Sequence, residues 1–245
     1  DRFTATDGPD GWWPTPEPPH RINQLFMEPV LVEHAGARPK LTLRPRTRID
    51  SFTEDEQGVE AVATDLDRSA ELRIRCRLLV GCDGGRSDVR RRIGAAFEGD
   101  AVIQRVQSTF IRAPTLIDHQ RHPPAWATFS LNPRRSGNCY AIDGRETWLV
   151  HNYLTPDDAD FDAVDRDWAI RTILGVGDDF AYDVISKQDW FGRRLIADRF
   201  RRGPVFLCGD AAHIWVPYAG YGMNAGIADA ATLAWLLAAH LNGWA

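Results

Sequence analysis

The sequence predicts an α/β architecture in which a domain of strand–turn–helix units is split in sequence by an inserted, sheet-rich α+β domain. Three observations predict it. Two passages, Leu78–Arg90 (LLVGCDGGRSDVR) and Val205–Leu241 (VFLCGDAAHIWVPYAGYGMNAGIADAATLAWLLAAHL), share one order: a short apolar run, a Gly/Asp turn, then a helical stretch. The stretch that leads up to the first passage alternates apolar and polar residues around turn-forming clusters, and further strand-like runs lie between the two, the pattern of strands joined by hairpins. The shared order also puts Asp83 and Asp210 at the carboxyl ends of strands, where ligands of open α/β sheets bind.

Taken in order, the chain opens with a Pro-, Gly- and Trp-rich stretch that reads as loop. Residues 20–31, HRINQLFMEPVL, carry apolar Ile22, Leu25, Phe26, Val30 and Leu31 at helical spacing, and Pro29 is expected in a first turn or at a break. Residues 41–82 read as strands joined by hairpins at 55–58 and 65–69. From Phe97 to Val150 the clearest strand runs are WATFSL, NCYAID and ETWLVHNYL, the last continuing to Leu154. Residues 161–174 predict a helix through Ala163, Val164, Trp168, Ile170, Ile173 and Leu174. Residues 224–241 are apolar almost all round, with Asn224, Asp229, Thr232 and His240 the polar exceptions, and so predict a buried helix.

The chemistry concentrates at the two turns. Gly220, Gly222 and Gly226 permit backbone conformations and close approaches that a Cβ would block. The helix that follows offers free N–H groups and a positive end, which favour a large, electron-rich ligand. Asp210 is suited to accept hydrogen bonds from sugar-like hydroxyls. Asp83 can do the same, and Arg86 and Arg90 offer charge near phosphates.

On these residues the chain resembles the single-component (group A) FAD-dependent aromatic hydroxylases, a flavoprotein monooxygenase family. The resemblance rests on the Gly-Asp stretch from Cys208 to Ala239, the Asp-Gly stretch from Leu78 to Arg90, and a weaker match over residues 20–31. It implies a Rossmann-like FAD-binding domain, residues 20–98 and 183–245, interrupted by a substrate-binding domain, residues 1–19 and 99–182. It implies FAD and NAD(P)H as cofactors. Arg21 and Gln24 would reach the flavin phosphate and ribityl region, and Asp83, Gly84 and Arg90 would serve FAD and the nicotinamide. Asp210, Gly220 and Gly222 would cradle the flavin, and the N–H groups of Met223 and Asn224 would hold its O2 edge. Pro217 would lie beside the reacting ring with its carbonyl toward the oxygen species. The implied reaction is hydroxylation of a phenolic or polyketide-like aromatic substrate by O2, through a C4a-hydroperoxyflavin. Tyr218, Tyr221, Trp126 and Trp215 could shape an aromatic pocket.

The sequence departs from the family in two places. Leu78 stands where the Asp-Gly pattern opens with a charged residue, and the N-terminal GxGxxG βαβ unit is absent. The residues therefore read as the middle of a longer polypeptide. Two further readings stay open: a related FAD oxidoreductase without hydroxylation, and an inactive flavin-fold fragment acting as a binding module.

Composition bounds the rest. In 245 residues, 44% are apolar, enough for a core, and the net charge of −5 argues against nucleic acid as a partner. No run suggests a membrane span, and a cytoplasmic enzyme is expected. Cys76, Cys82, Cys139 and Cys208 lack metal spacing and read as buried, reduced thiols. His119, His122 and His151 are scattered, so no metal site is expected; His213, inside the Gly-Asp stretch, reads equally as packing or as catalysis.

Overall fold

The structure, a computed structural model, describes residues 20–217 and 220–244. The chain forms two compact units, one of Leu43–Ile103 with Phe191–Ala245, the other of Gln104–Trp190 with the residues up to Thr42.

In chain order the elements are α1 (Gln24–Gly36), β1 (Thr47–Asp55), β2 (Gly58–Asp65), β3 (Ala70–Cys76), β4 (Leu79–Gly81), α2 (Asp88–Arg92), β5 (Phe97–Arg112) and α3 (Leu116–His119). There follow β6 (Ala127–Ser130), β7 (Gly137–Ala141), β8 (Thr147–Leu154), α4 (Arg166–Leu174), β9 (Asp183–Ala197), β10 (Arg201–Arg202) and β11 (Val205–Leu207). A 3-10 turn (Gly209–Ala211), β12 (His213–Ile214) and α5 (Tyr221–Leu241) follow.

The unit that carries both aspartate motifs is built on two small sheets. Strands β1, β2 and β3 form an antiparallel meander at the predicted hairpins. Asp55 Oδ1 accepts from Gln57 N in the first turn, and Asp65 Oδ1 accepts from Asp67 N and Arg68 N in the second. Such aspartates replace backbone partners in a tight turn. The second sheet has order β10-β11-β4, with β11 parallel to β4 and Leu207 opposite Gly81. Val59, Ile93, Ala95, Ala197, Val205, Leu207, Ala211 and Ala212 form the core, with Val89 of α2 packed on it. Gly81 leaves room for Val89 of α2: a Cβ there would lie 2.6 Å from Val89 Cβ. Gly81→Ala is therefore expected to cost about 1–3 kcal/mol by overpacking, read as a lower urea midpoint.

The other unit holds the antiparallel run β5-β8-β7-β6 of a six-stranded sheet, with His151 opposite both Ser108 and Asn138. Alternation along β8 sends Trp148, Val150, Asn152 and Leu154 to one face and Leu149, His151 and Tyr153 to the other. The first face packs on α4, where Ile111, Trp148, Val150, Ile170 and Ile173 are buried together.

Five expectations are corrected. Helix α4 begins at Arg166 rather than Phe161, because Asp165 caps it at Trp168 N while Asp160 holds Asp162 and Ala163 in a turn. The released segment is tied to the sheet instead: Gln107 Nε2 donates to the carbonyls of Phe161 and Val164. Helix α1 runs through Pro29 with no buried residue, so the missing N–H costs one bond rather than the helix. Residues 20–42 group with the larger sheet, not with the aspartate motifs, since Asn23 Nδ2 donates to Ile142 O at 2.7 Å. Cys82 is exposed and Cys76 half-buried, and only Cys139 and Cys208 are buried. Helix α5 is not buried. It is seated along the stripe Gly222, Gly226, Asp229, Leu233 and Leu237, and leaves Ile227, Trp235 and Leu236 more than half exposed.

Candidate functional site

The two aspartates end neighbouring parallel strands but do different work. Asp210 follows β11 in the 3-10 turn; it is exposed, and its carboxylate has no hydrogen-bond partner among the described residues. Asp83 follows β4 and is engaged by its own turn. Its oxygens accept from Ser87 Oγ and, at 3.1 Å, from Val89 N, while Ser87 Oγ caps α2 at Arg90 N. Gly84, at φ +77, turns the chain between them. The carboxylate of Asp83 thus fixes the entry to α2, a use its sequence pattern did not distinguish from hydroxyl binding.

Arg90 differs more from its expected role. Its side chain is buried and turned away from solvent, where a phosphate would be. Its Nη1 donates to Ala211 O at 3.1 Å and its Nη2 to Gly85 O at 3.0 Å, with the guanidinium 3.5 Å from the Phe97 ring centre. Burial lowers its pKa from the ordinary arginine value. One planar fork therefore joins the turn after Asp83 to the turn after Asp210.

Helix α5 starts after Gly220, which adopts φ +69 and has no side-chain cap. The N–H groups of Tyr221, Gly222 and Met223 precede the first intrahelical bond and are the free donors of this end. Asn224, expected beside Met223, lies one step into the helix, and its Nδ2 donates back to Gly220 O at 2.7 Å. The Pro217 carbonyl accepts from Gly220 N at 3.2 Å and so closes the turn into α5. Tyr221 and Trp215 are exposed, and Tyr218 lies outside the described residues.

Arg21, Gln24 and Trp126 belong to the other unit. The Arg21 guanidinium lies 3.2 Å from the Trp126 ring centre, and Gln24 Nε2 donates to Glu28 Oε1 at 2.6 Å. Trp126 in turn stacks on Tyr140 at 5.9 Å. This aromatic row continues through His151 to Trp190, which the sequence patterns did not single out. Asn138 Nδ2 donates to both the Tyr140 and Tyr153 hydroxyls at 2.8 Å.

Burial pulls the His151 imidazole down to about 4 from 6.5. The unfolded chain takes up a proton near 6.5 that the folded chain refuses until about 4, so this contribution to stability is complete above pH 6.5 and lost as pH falls toward 4. His151→Phe is expected to remove a slope approaching about 1.4 kcal/mol per pH unit from the unfolding free energy in that window, measured by denaturation at graded pH.

No group of His, Cys, Asp and Glu suited to a metal ion occurs among the described residues. No helix among them is long and apolar enough to cross a membrane. A cavity of about 290 Å³ lies on α4, where Arg166 and Arg171 are already paired with Asp189 and Asp167.

Strand-end aspartates, a glycine-capped helix start and a close helix–turn approach define a dinucleotide-type cofactor domain. The model of the family described as FAD binding domain matches residues 13–245. The chain belongs to this family of FAD-dependent flavoproteins, which includes aromatic hydroxylases. It is 36% identical over 223 residues to a tetracenomycin B2 monooxygenase-dioxygenase of Streptomyces olivaceus, covering 89% of this chain and 40% of that protein. A putative polyketide hydroxylase of Streptomyces halstedii is 34% identical, covering 91% of this chain and 40% of its own length. Among solved structures, aklavinone-11 hydroxylase in a ternary complex with FAD and aklavinone superposes with a TM-score of 0.84 at 28% identity, covering 94% of this chain and 43% of that one. The chain thus spans about two fifths of the length of these relatives.

Proposed function

We propose that this chain is part of an FAD-dependent monooxygenase that hydroxylates a fused, phenolic or polyketide-like aromatic ring with NAD(P)H and O2. The observation that carries the reading is Asp210: a carboxylate at a strand end, exposed and without a hydrogen-bond partner among the described residues, in the turn that packs on α5. The residues present fit a flavin. Asp210 would accept from ribityl hydroxyls, and the N–H groups of Tyr221, Gly222 and Met223 would face the electron-rich edge of the ring. Bound FAD would supply hydride acceptance and oxygen activation.

The chain's own contribution is position and electrostatics. The free N–H groups at the start of α5 stabilise negative charge without reorganising, as preorganised donors do. Asp83 and Arg90 hold the two turns in register, and Pro217 sets the turn that delivers Gly220 to the helix. The relatives named for polyketide substrates support a fused-ring substrate, for which the Trp126–Tyr140–His151–Trp190 row offers aromatic surface. Four free cysteines suit the reducing cytoplasm.

The complete polypeptide containing this chain should be purified and its absorbance spectrum recorded, with release and identification of any chromophore. Flavin bands near one per chain, followed by substrate-dependent NAD(P)H oxidation and transfer of labelled oxygen from O2 to the product, are expected. Nicotinamide oxidation without labelled product would leave an oxidoreductase that does not hydroxylate. A colourless protein that takes up no added FAD would sink the reading.

A further inference from the structure

Asp229 lies on the seated stripe of α5, and one of its oxygens serves two donors from other elements. Its Oδ2 accepts from Gly209 N at 3.0 Å and from His213 Nε2 at 2.7 Å. The other nitrogen of that imidazole, Nδ1, accepts from Trp215 Nε1 at 2.9 Å. An indole N–H can only donate, so Nδ1 carries no proton and the ring proton sits on Nε2, directed at the carboxylate. The bonds therefore run one way, from Trp215 through His213 to Asp229, where Gly209 joins them. Both ends reach the candidate site: Gly209 immediately precedes Asp210 and adopts φ +61, and Trp215 is two residues before Pro217. Gly226, one turn before Asp229, faces the same turn: a Cβ on it would lie 3.5 Å from Gly209 Cα, an ordinary van der Waals contact.

We propose that Asp229 is a positioning residue for the cofactor site, its carboxylate holding the Gly209–Asp210 turn and, through His213 in its Nε2–H tautomer, the Trp215–Pro217 segment on α5. This rests on the flavin reading above. No reacting atom need touch Asp229. It acts by fixing where Asp210 and the entry to α5 stand before a ligand arrives, as a carboxylate behind a histidine fixes ring orientation at other sites.

The test uses the complete polypeptide containing this chain, with ¹⁵N-labelled histidine, and reads the His213 tautomer and the Kd for FAD. The unaltered protein is expected to show the Nε2–H form. Asp229→Ala is expected to mix the tautomers and weaken FAD binding at least about tenfold, and Asp229→Asn, which keeps an acceptor oxygen, should recover much of both. An Nδ1–H ring in the unaltered protein, or a folded Asp229→Ala variant with unchanged FAD affinity, overturns the proposal. If Asp229→Ala does not fold, His213→Phe is read instead, with a several-fold loss of affinity expected and no change overturning it. If the unaltered protein binds no FAD, the flavin reading falls separately, and the proposed network is still decided. Loss of the Nε2–H tautomer in Asp229→Ala supports it, and persistence in that variant overturns it.

Discussion

Replacing Asp210 with alanine is expected to weaken FAD binding by about 1.5–3 kcal/mol, roughly 10- to 100-fold in Kd, while leaving the fold intact. The carboxylate is exposed and accepts no hydrogen bond from another described residue, so its removal breaks no bond among them. What it costs is the charge-assisted hydrogen bonds to ligand hydroxyls, about twice as strong as neutral ones. Asp83 provides the contrast. Its oxygens cap α2, so Asp83→Ala should lower stability as well as affinity. Titrating each variant with FAD by flavin fluorescence, beside a urea melt, separates the two. Equal FAD affinity in Asp210→Ala and the unaltered protein would remove Asp210 from the site.

The second large effect is expected at Arg90. Arg90→Ala should lower the unfolding free energy by about 2–4 kcal/mol, because two carbonyls lose a charged donor and Phe97 loses the guanidinium stacked on its ring. Arg90→Lys should recover little of it, since one ammonium cannot span Gly85 O and Ala211 O as a planar fork does. Arg91, exposed and paired with Asp88, is the control, and Arg91→Ala should fall within about 0.5 kcal/mol of the unaltered protein. A urea melt in which Arg90→Ala matches Arg91→Ala would show that the fork carries no stability.

The strand-end turns and the meander were legible because their residues act locally. Asp55, Gly58 and Asp65 form their turns with neighbours two or three positions away, and Gly81–Cys82–Asp83 and Cys208–Gly209–Asp210 break apolar runs at the strand ends. What stayed hidden depends on distant partners. Nothing near Arg90 in the sequence reveals that Ala211 O is its acceptor, and a basic residue at a helix start reads as a phosphate ligand. Helix α5 has the composition of a core helix, yet its packing among the described residues is confined to one stripe, which composition cannot report. Strand β9 carries no sequence signal because Ser186, Lys187, Gln188 and Asp189 give it no apolar alternation, and most of its residues are exposed. The Asp229–His213–Trp215 relay joins three elements, and the residue spacing alone gave His213 no partner.

The parallel pairing of β4 with β11 has a kinetic consequence. Leu79 and Val205 meet across the whole of the intervening segment, whereas the β1–β2–β3 meander and the β6–β7–β8 sheet close through short turns. Closing so long a loop is entropically costly until the segment within it has collapsed, so the local sheets are expected to form first. The two aspartates would then be brought together in the final step of refolding. In a stopped-flow experiment, recovery of FAD binding should lag behind recovery of β-sheet circular dichroism.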